Sequence, residues 1–202
     1  MPGSALSVKK VKRRPRLAGV SKRHLLIPLL TLAVVVIADQ LTKLYALGRL
    51  IEGQPWQVLG TFFQLKLIFN KGGALGTDFG SGIFYLVSSL LILLIVIYFI
   101  YINRHNLLIS LPMAAVAGGA VGNIIDRIRF GKVVDFLDFD FFDINMFGLH
   151  FDRWWVFNIA DASITIGVII LLIFLLFLNQ TEPAVRPETD RNNDEIPKDF
   201  TQ

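Results

Sequence analysis

Four long apolar runs, separated by polar connections rich in aromatic residues, dominate the pattern of this chain. The first starts at Leu25, is uncharged to Ala38, and continues as helix through Asp39 and Lys43 to about Leu47. Gly82–Ile102 and Leu107–Ile125 carry no charge, and Val156–Leu178 carries only Asp161. Crossing a hydrocarbon core of about 30 Å takes about 20 mainly apolar residues per helix. The pattern therefore predicts four transmembrane helices, at about 25–47, 82–102, 107–127 and 156–178.

The two longer connections have patterns of their own. In the first, Trp56, Val58, Phe62, Phe63, Leu65, Leu67 and Phe69 are interspersed with Gln57, Gln64 and Lys66, with Gly60 between the runs. Near-alternation of aromatic and branched residues, broken by glycine, predicts two or three short strands. Asn70-Lys71-Gly72-Gly73 predicts a turn after them. Such a sheet could rest on the bilayer or cover an extended peptide; a plain connector with interfacial aromatics is the alternative. The second connection, Asp126–Trp155, mixes Phe136, Phe139, Phe141, Phe142, Phe147, Phe151, Trp154 and Trp155 with Asp138, Asp140, Asp143 and Asp152. Its rings read as an interfacial belt and its acids as a partly wet loop. The expected fold is mainly α and polytopic: four membrane helices, a small sheet on the outer side and an outer loop.

Composition agrees, since 53% of the 202 residues are hydrophobic, a membrane-protein proportion. Charge orients the spans. Residues 1–23 hold eight basic residues (Lys9, Lys10, Lys12, Arg13, Arg14, Arg16, Lys22 and Arg23) and no acidic one. Basic flanks stay in the cytoplasm, so both termini are expected inside, with the connections at about 48–81 and 126–155 outside. Asp39-Gln40-Leu41-Thr42-Lys43 follows the first apolar run in place of a small-x-small cleavage site, so an uncleaved span is expected rather than a secretory signal. The basic segment reads as a topology determinant and lipid-surface contact, not a nucleic-acid site. The domain reading is a basic tail at 1–23, one membrane domain at 24–178, and a disordered cytoplasmic tail at 179–202 with Pro183, Pro187 and Pro197 among mixed charges.

Chemistry is narrowed by what the chain lacks. It has no cysteine, its three histidines (His24, His105 and His150) are scattered, and no HExxH, GxSxG or EF-hand pattern occurs. Neither a metal nor another cofactor is expected. Two aspartates then stand out. Asp135 follows the exit of the third span in Gly131-Lys132-Val133-Val134-Asp135-Phe136, and Asp161 lies at the entry of the fourth in Phe157-Asn158-Ile159-Ala160-Asp161. Leaving and re-entering the bilayer puts both on one side at similar depth. Carboxyl groups at a membrane boundary are costly unless paired or used, and two that share a proton can activate water. The structural alternatives are an acid favouring a helix start for Asp161, and a partner for Arg127 or Lys132 for Asp135.

Supporting groups can be read around them. Ala114, Gly118 and Gly122 recur every four residues in the third span, as do Ala115 and Gly119, which allows another helix to approach closely. Asn123, Asp126 and Arg127 follow at its outward end. Asn123 and Arg127 share a face, and the guanidinium can fork onto a carboxylate, so this cluster is expected to fix the next segment and orient Asp135. Asp39 and Lys43 are also four apart: they pair with each other, or one joins the third-span cluster.

With these blocks in hand, the chain resembles the type II signal peptidases, the prolipoprotein signal peptidases. The resemblance runs over about 30–175. It is carried by Asp39-Gln40-Leu41-Thr42-Lys43, Asn70-Lys71-Gly72-Gly73-Ala74-Leu75-Gly76, Gly118-Gly119-Ala120-Val121-Gly122-Asn123-Ile124-Ile125-Asp126-Arg127, Gly131-Lys132-Val133-Val134-Asp135-Phe136 and Phe157-Asn158-Ile159-Ala160-Asp161-Ala162-Ser163-Ile164. It implies a bacterial inner-membrane aspartic endopeptidase with its active site at the outer face. Such an enzyme cleaves lipoprotein precursors just before the cysteine that carries a diacylglyceryl group. Asp135 and Asp161 carry over as the catalytic pair. Asn123, Arg127 and Asn158 carry over as polar supports or substrate contacts, and Asp39, Lys43 and Asn70 as further important positions, with Asp126 in the same supporting set. The implied partners are the diacylglyceryl-prolipoprotein and membrane lipid; no nucleic acid partner and a monomer are expected. The chain departs from the family pattern at Leu75, where phenylalanine is common, and in Leu137–Trp155, which is longer than usual.

Overall fold

The computed structural model describes residues 22–72, 82–140, 144–146, 149–151 and 155–178. Both expected tails, apart from Lys22 and Arg23, lie outside the described residues, as do Leu75 and most of the glycine-rich turn around it. Helices α1 (Lys22–Arg49), α2 (Gly82–Ile102), α3 (Leu107–Phe130) and α4 (Ile159–Ile173, continuing as a π-helical turn through Leu178) are the four spans. Strands β1 (Pro55–Leu59) and β2 (Phe63–Asn70) fill the first long connection, and β3 (Val133–Phe139), β4 (Ile144–Met146) and β5 (Leu149–Phe151) the second.

The helix ends follow local chemistry. The third span runs to Phe130, past the expected end at 127, and stops at Gly131, whose φ of 67° closes the helix with its N–H donated to the Arg127 carbonyl. Glycine adopts that left-handed conformation without a Cβ penalty. The fourth helix starts at Ile159 rather than 156, because Asn158 caps it and Phe157 is still paired with the sheet.

Helix α3 is the mast of the bundle. Over half of its apolar window is buried, whereas the other three spans turn most of their apolar surface outward, as lipid-facing helices do. Its small residues serve two neighbours. A β-carbon at Gly118 would lie 2.8 Å from Val35 Cβ and 2.9 Å from the Leu32 carbonyl of α1. One at Gly119 would run into the Ala160 carbonyl of α4, and one at Gly122 into the Asp39 carboxylate. Gly167 of α4 returns the fit, lying against the Pro112 carbonyl of α3. Gly119→Val is therefore expected to force α3 and α4 apart and cost about 1–3 kcal/mol. Gly48→Ala, where nothing lies within 4 Å, should leave thermal unfolding in detergent unchanged.

The three-stranded sheet has the order β1-β2-β3, all antiparallel. The first connection thus supplies two strands, and the third comes from the second connection. Gly131 turns the chain back so that Ile68 faces Asp135 and Phe69 faces Val134. On the far side of β3, Phe136 and Leu137 donate their N–H groups to the Phe157 carbonyl, and Phe157 donates to Leu137. Strand β3 is consequently held on both edges. Phe139 stacks on Phe63 at 4.4 Å and on Phe157 at 5.8 Å between centroids. Beneath the sheet, Leu67, Val134 and Phe136 pack on Ala46 and Leu50 at the end of α1, forming the apolar core that seats it. Within the second connection, β4 and β5 pair antiparallel with Ile144 opposite Phe151.

Candidate active site

Five elements converge below the sheet. Helix α1 brings Asp39, Gln40 and Lys43; β2 ends at Asn70; α3 brings Asn123, Asp126 and Arg127; β3 carries Asp135; α4 starts with Asn158 and Asp161. All nine residues singled out from the sequence meet in one connected network.

Asn158 joins the two expected catalytic acids. Its Nδ2 donates to Asp135 Oδ1 at 2.6 Å. Its Oδ1 accepts from Asp161 N at 2.9 Å, and its own backbone N–H donates to Asp161 Oδ2 at 3.3 Å, a closed capping box. The remaining carboxylate oxygens are also engaged: Asn70 Nδ2 donates to Asp135 Oδ2 at 3.1 Å, and Asn123 Nδ2 to Asp161 Oδ1 at 2.8 Å. Asn70 is itself held by a bond from Gly72 N to its Oδ1. Asp135 is 2% exposed. Burial pushes its carboxyl up to about 7, and the nearby Asp161 charge adds to the rise, against the pull of the Asn70 and Asn158 amides and the Lys43 charge.

A second tier lies deeper. Lys43 Nζ sits 2.9 Å from Asp39 Oδ2, 2.8 Å from Asp126 Oδ2 and 2.9 Å from Asn123 Oδ1. Both sequence alternatives for this pair hold at once: Asp39 and Lys43 pair, and Lys43 also joins the α3 cluster. Each acid has a further task. Asp39 Oδ1 accepts from Ala160 N at the start of α4, and Asp126 Oδ2 from Val134 N beside Asp135. The α3 cluster thus meets the backbone one residue before Asp135, through Asp126. Arg127 reaches the Gly72 carbonyl at 3.4 Å and its own Asn123 carbonyl at 3.5 Å, and its charge faces Asp161 and Asp135. Lys132 lies over the Phe69 ring at 5.5 Å, so its charge is spent on an aromatic face.

Sequence reasoning passed over two groups. Gln40 Nε2 lies within hydrogen-bond reach of Asp39 Oδ2, the Gly122 carbonyl and Asp126 Oδ1, at 3.1–3.2 Å. Tyr85, the buried residue of α2, lies close enough to Arg127 to act on its charge. A lone glutamine or tyrosine in a span has no spacing to announce it. Among the described residues, no group of three or more histidine, cysteine, aspartate or glutamate side chains is arranged to hold a metal ion.

The family described as signal peptidase (SPase) II matches residues 31–177, which include every residue of this network. A lipoprotein signal peptidase of Pelodictyon phaeoclathratiforme is 37% identical over 156 residues, spanning 76% of this chain and 90% of the relative. One of Staphylococcus aureus is 38% identical over 144 residues, spanning 70% and 83%. The chain belongs to the signal peptidase II family. A solved structure described as a bacterial membrane enzyme, determined by the in meso method at 2.3 Å resolution, superposes with a TM-score of 0.67 at 34% identity. It covers 80% of this chain and 94% of its own. A second, at 1.9 Å resolution, gives 0.62 at 36% identity, covering 74% and 92%. Membership of the signal peptidase II family makes the chain a bacterial multi-pass membrane protease of the aspartic type.

Proposed function

We propose that this signal peptidase II removes the signal peptide from diacylglyceryl-modified prolipoproteins, cutting before the lipidated cysteine, with Asp135 and Asp161 as the catalytic pair. The observation that carries the assignment is the clamp of Asn158 on both carboxyl groups, that of Asp135 buried and that of Asp161 half-buried. Two acids this close to one amide cannot both ionise freely, so the pair titrates as a unit and holds one proton through the neutral range. The ionised acid takes a proton from water, whose oxygen attacks the scissile carbonyl carbon. The protonated acid gives its proton to the carbonyl oxygen. As the tetrahedral intermediate collapses, the C–N bond breaks and the departing nitrogen takes the proton that the first acid had drawn from water. A hydroxyl of the intermediate gives its proton to the other acid as the new carbonyl forms, so the pair again holds one proton. The step needs only water.

The basic residues at 1–23 and four crossings support a topology with both termini in the cytoplasm and the site at the outer face. The substrate's acyl chains lie among the spans, holding the scissile bond at the depth of Asp135 and Asp161, so lipid anchoring contributes by positioning. The working unit is residues 24–178 as a monomer; membrane lipid is its second partner, and nucleic acid is not one.

Purified enzyme given a diacylglyceryl precursor peptide and its unlipidated counterpart should cleave the lipidated form alone. Its rate should fall as pH rises past about 7, where Asp135 loses the proton that burial keeps on it. Equal cleavage of both peptides would remove the lipid from the recognition, and a flat profile to pH 9 would remove the shared proton.

A further inference from the structure

Lys43 bonds neither Asp135 nor Asp161 but holds the Asn123 amide that bonds Asp161. Its side chain is 2% exposed, and its three N–H donors meet three acceptors: Asp39 Oδ2, Asp126 Oδ2 and Asn123 Oδ1, all at 2.8–2.9 Å. An ammonium has donors and no acceptor, so the atom of Asn123 that faces it must be the oxygen. Asn158 enforces the same choice. Its Nδ2 also points at Asn123 Oδ1, at 3.2 Å, and its own amide is fixed because its Oδ1 accepts from Asp161 N. Turning the Asn123 amide over would set its NH2 against two donors and its oxygen against the Asp161 carboxylate. The orientation found leaves Asn123 Nδ2 donating to Asp161 Oδ1 at 2.8 Å.

We propose that Lys43 is a positioning residue that acts through Asn123: its ammonium locks the amide with the N–H toward Asp161, making Asp161 the ionised, water-activating acid and leaving the shared proton on Asp135. The inference deepens the dyad assignment and rests on it. Three physical effects favour it. An N–H binds a carboxylate more strongly than a carboxylic acid. A cation on the oxygen of an amide polarises the amide and strengthens its N–H as a donor. Asp161 also occupies the third position of α4, where the helix N-terminus favours negative charge, whereas Asp135 lies on a strand. Among the described residues, the charged or titratable groups around the pair are Asp39 and Lys43 of α1, Tyr85 of α2, Asp126 and Arg127 of α3, Asp135 of β3 and Asp161 of α4. Within this set Lys43 is the cation bonded to the amide that touches Asp161.

The test is kinetic. Lys43→Met/Asp126→Asn removes one charge of each sign, and the new asparagine can still accept from Val134 N. With folding checked by thermal unfolding, this variant should lose at least about tenfold in kcat, with KM for the lipidated peptide within threefold of the parent. The acidic limb of its kcat–pH profile should move up by about one unit, because the net charge of the cluster is unchanged while the Asn123 amide loses the cation that strengthens its N–H toward the Asp161 carboxylate. Lys43→Arg keeps charge and donors and should keep the limb in place. Asn123→Asp still accepts from Lys43 but offers no N–H to Asp161, and should lower kcat about 100-fold or more at pH 7. A folded double variant with the parental pH profile would overturn the proposal, and so would an Asn123→Asp enzyme of parental kcat even if the double variant does not fold. Asp135→Asn and Asp161→Asn run alongside: activity in either removes the dyad itself, a separate failure from that of Lys43.

Discussion

Asp161→Asn is expected to lower precursor cleavage by about a thousandfold or more, with the protein still folded in the membrane, and Asp135→Asn should do the same. Asparagine preserves the size of the side chain and one acceptor oxygen. At position 161 it still caps α4 through its backbone N–H to Asn158 Oδ1, and at position 135 it remains inside a strand held on both edges. Neither exchange opens a cavity or strands a charge. What disappears is a group able to take or give a proton, and an amide does neither near neutral pH. The measurement is the conversion of a lipidated precursor on a gel, beside a thermal melt of each variant. Cleavage within tenfold of the parent in either variant would contradict the assignment. Melting far below the parent would mean that the carboxylate was holding the fold rather than acting on substrate.

Lys43→Met is expected to act on stability first, costing about 3–5 kcal/mol. The ammonium lies between Asp39 and Asp126, both essentially without solvent contact. Removing it leaves two carboxylates facing each other in an enclosed site, with Gln40 and backbone N–H groups as their remaining donors. Breaking one side of a buried ion pair costs far more than the pair contributes, since the orphaned charge keeps its desolvation penalty. A half-buried comparison is Lys132→Met, where a cation over the Phe69 ring contributes about 0.5–1 kcal/mol. Unfolding in detergent, followed by loss of helical signal against temperature, should rank Lys43→Met far below Lys132→Met. Equal melting temperatures would show that the Asp39–Lys43–Asp126 cluster is wetter than its burial indicates.

The spans were legible because a bilayer admits few alternatives: a helix must satisfy its own backbone, and its apolar length is set by the membrane. Asp135 and Asp161 were legible for a related reason, since consecutive crossings bring the exit of one span and the entry of the next to the same side. Contacts that depend on packing were harder to see. That Asn70 touches Asp135 follows from the register placing Ile68 opposite Asp135, and no local pattern links residues so far apart in the chain. The same holds for β3, an extended stretch by its own composition whose partner strand lies before α2. Gln40 meets Asp126 because Gly118 and Gly122 let α1 close on α3. The glycine spacing announced a close approach, and the structure shows which helix makes each one.

The bond from Ala160 N to Asp39 Oδ1 has a consequence for biogenesis. During insertion, α1 and α3 can dock while Asp39 still lacks that donor and Asp135 has no clamp, because Asn158 has yet to leave the ribosome. With Asp135 and Asp161 as the proposed pair, a nascent chain is expected to carry no working peptidase until α4 threads into the bilayer, so that release of an early-terminated product would add no stray proteolysis to the membrane.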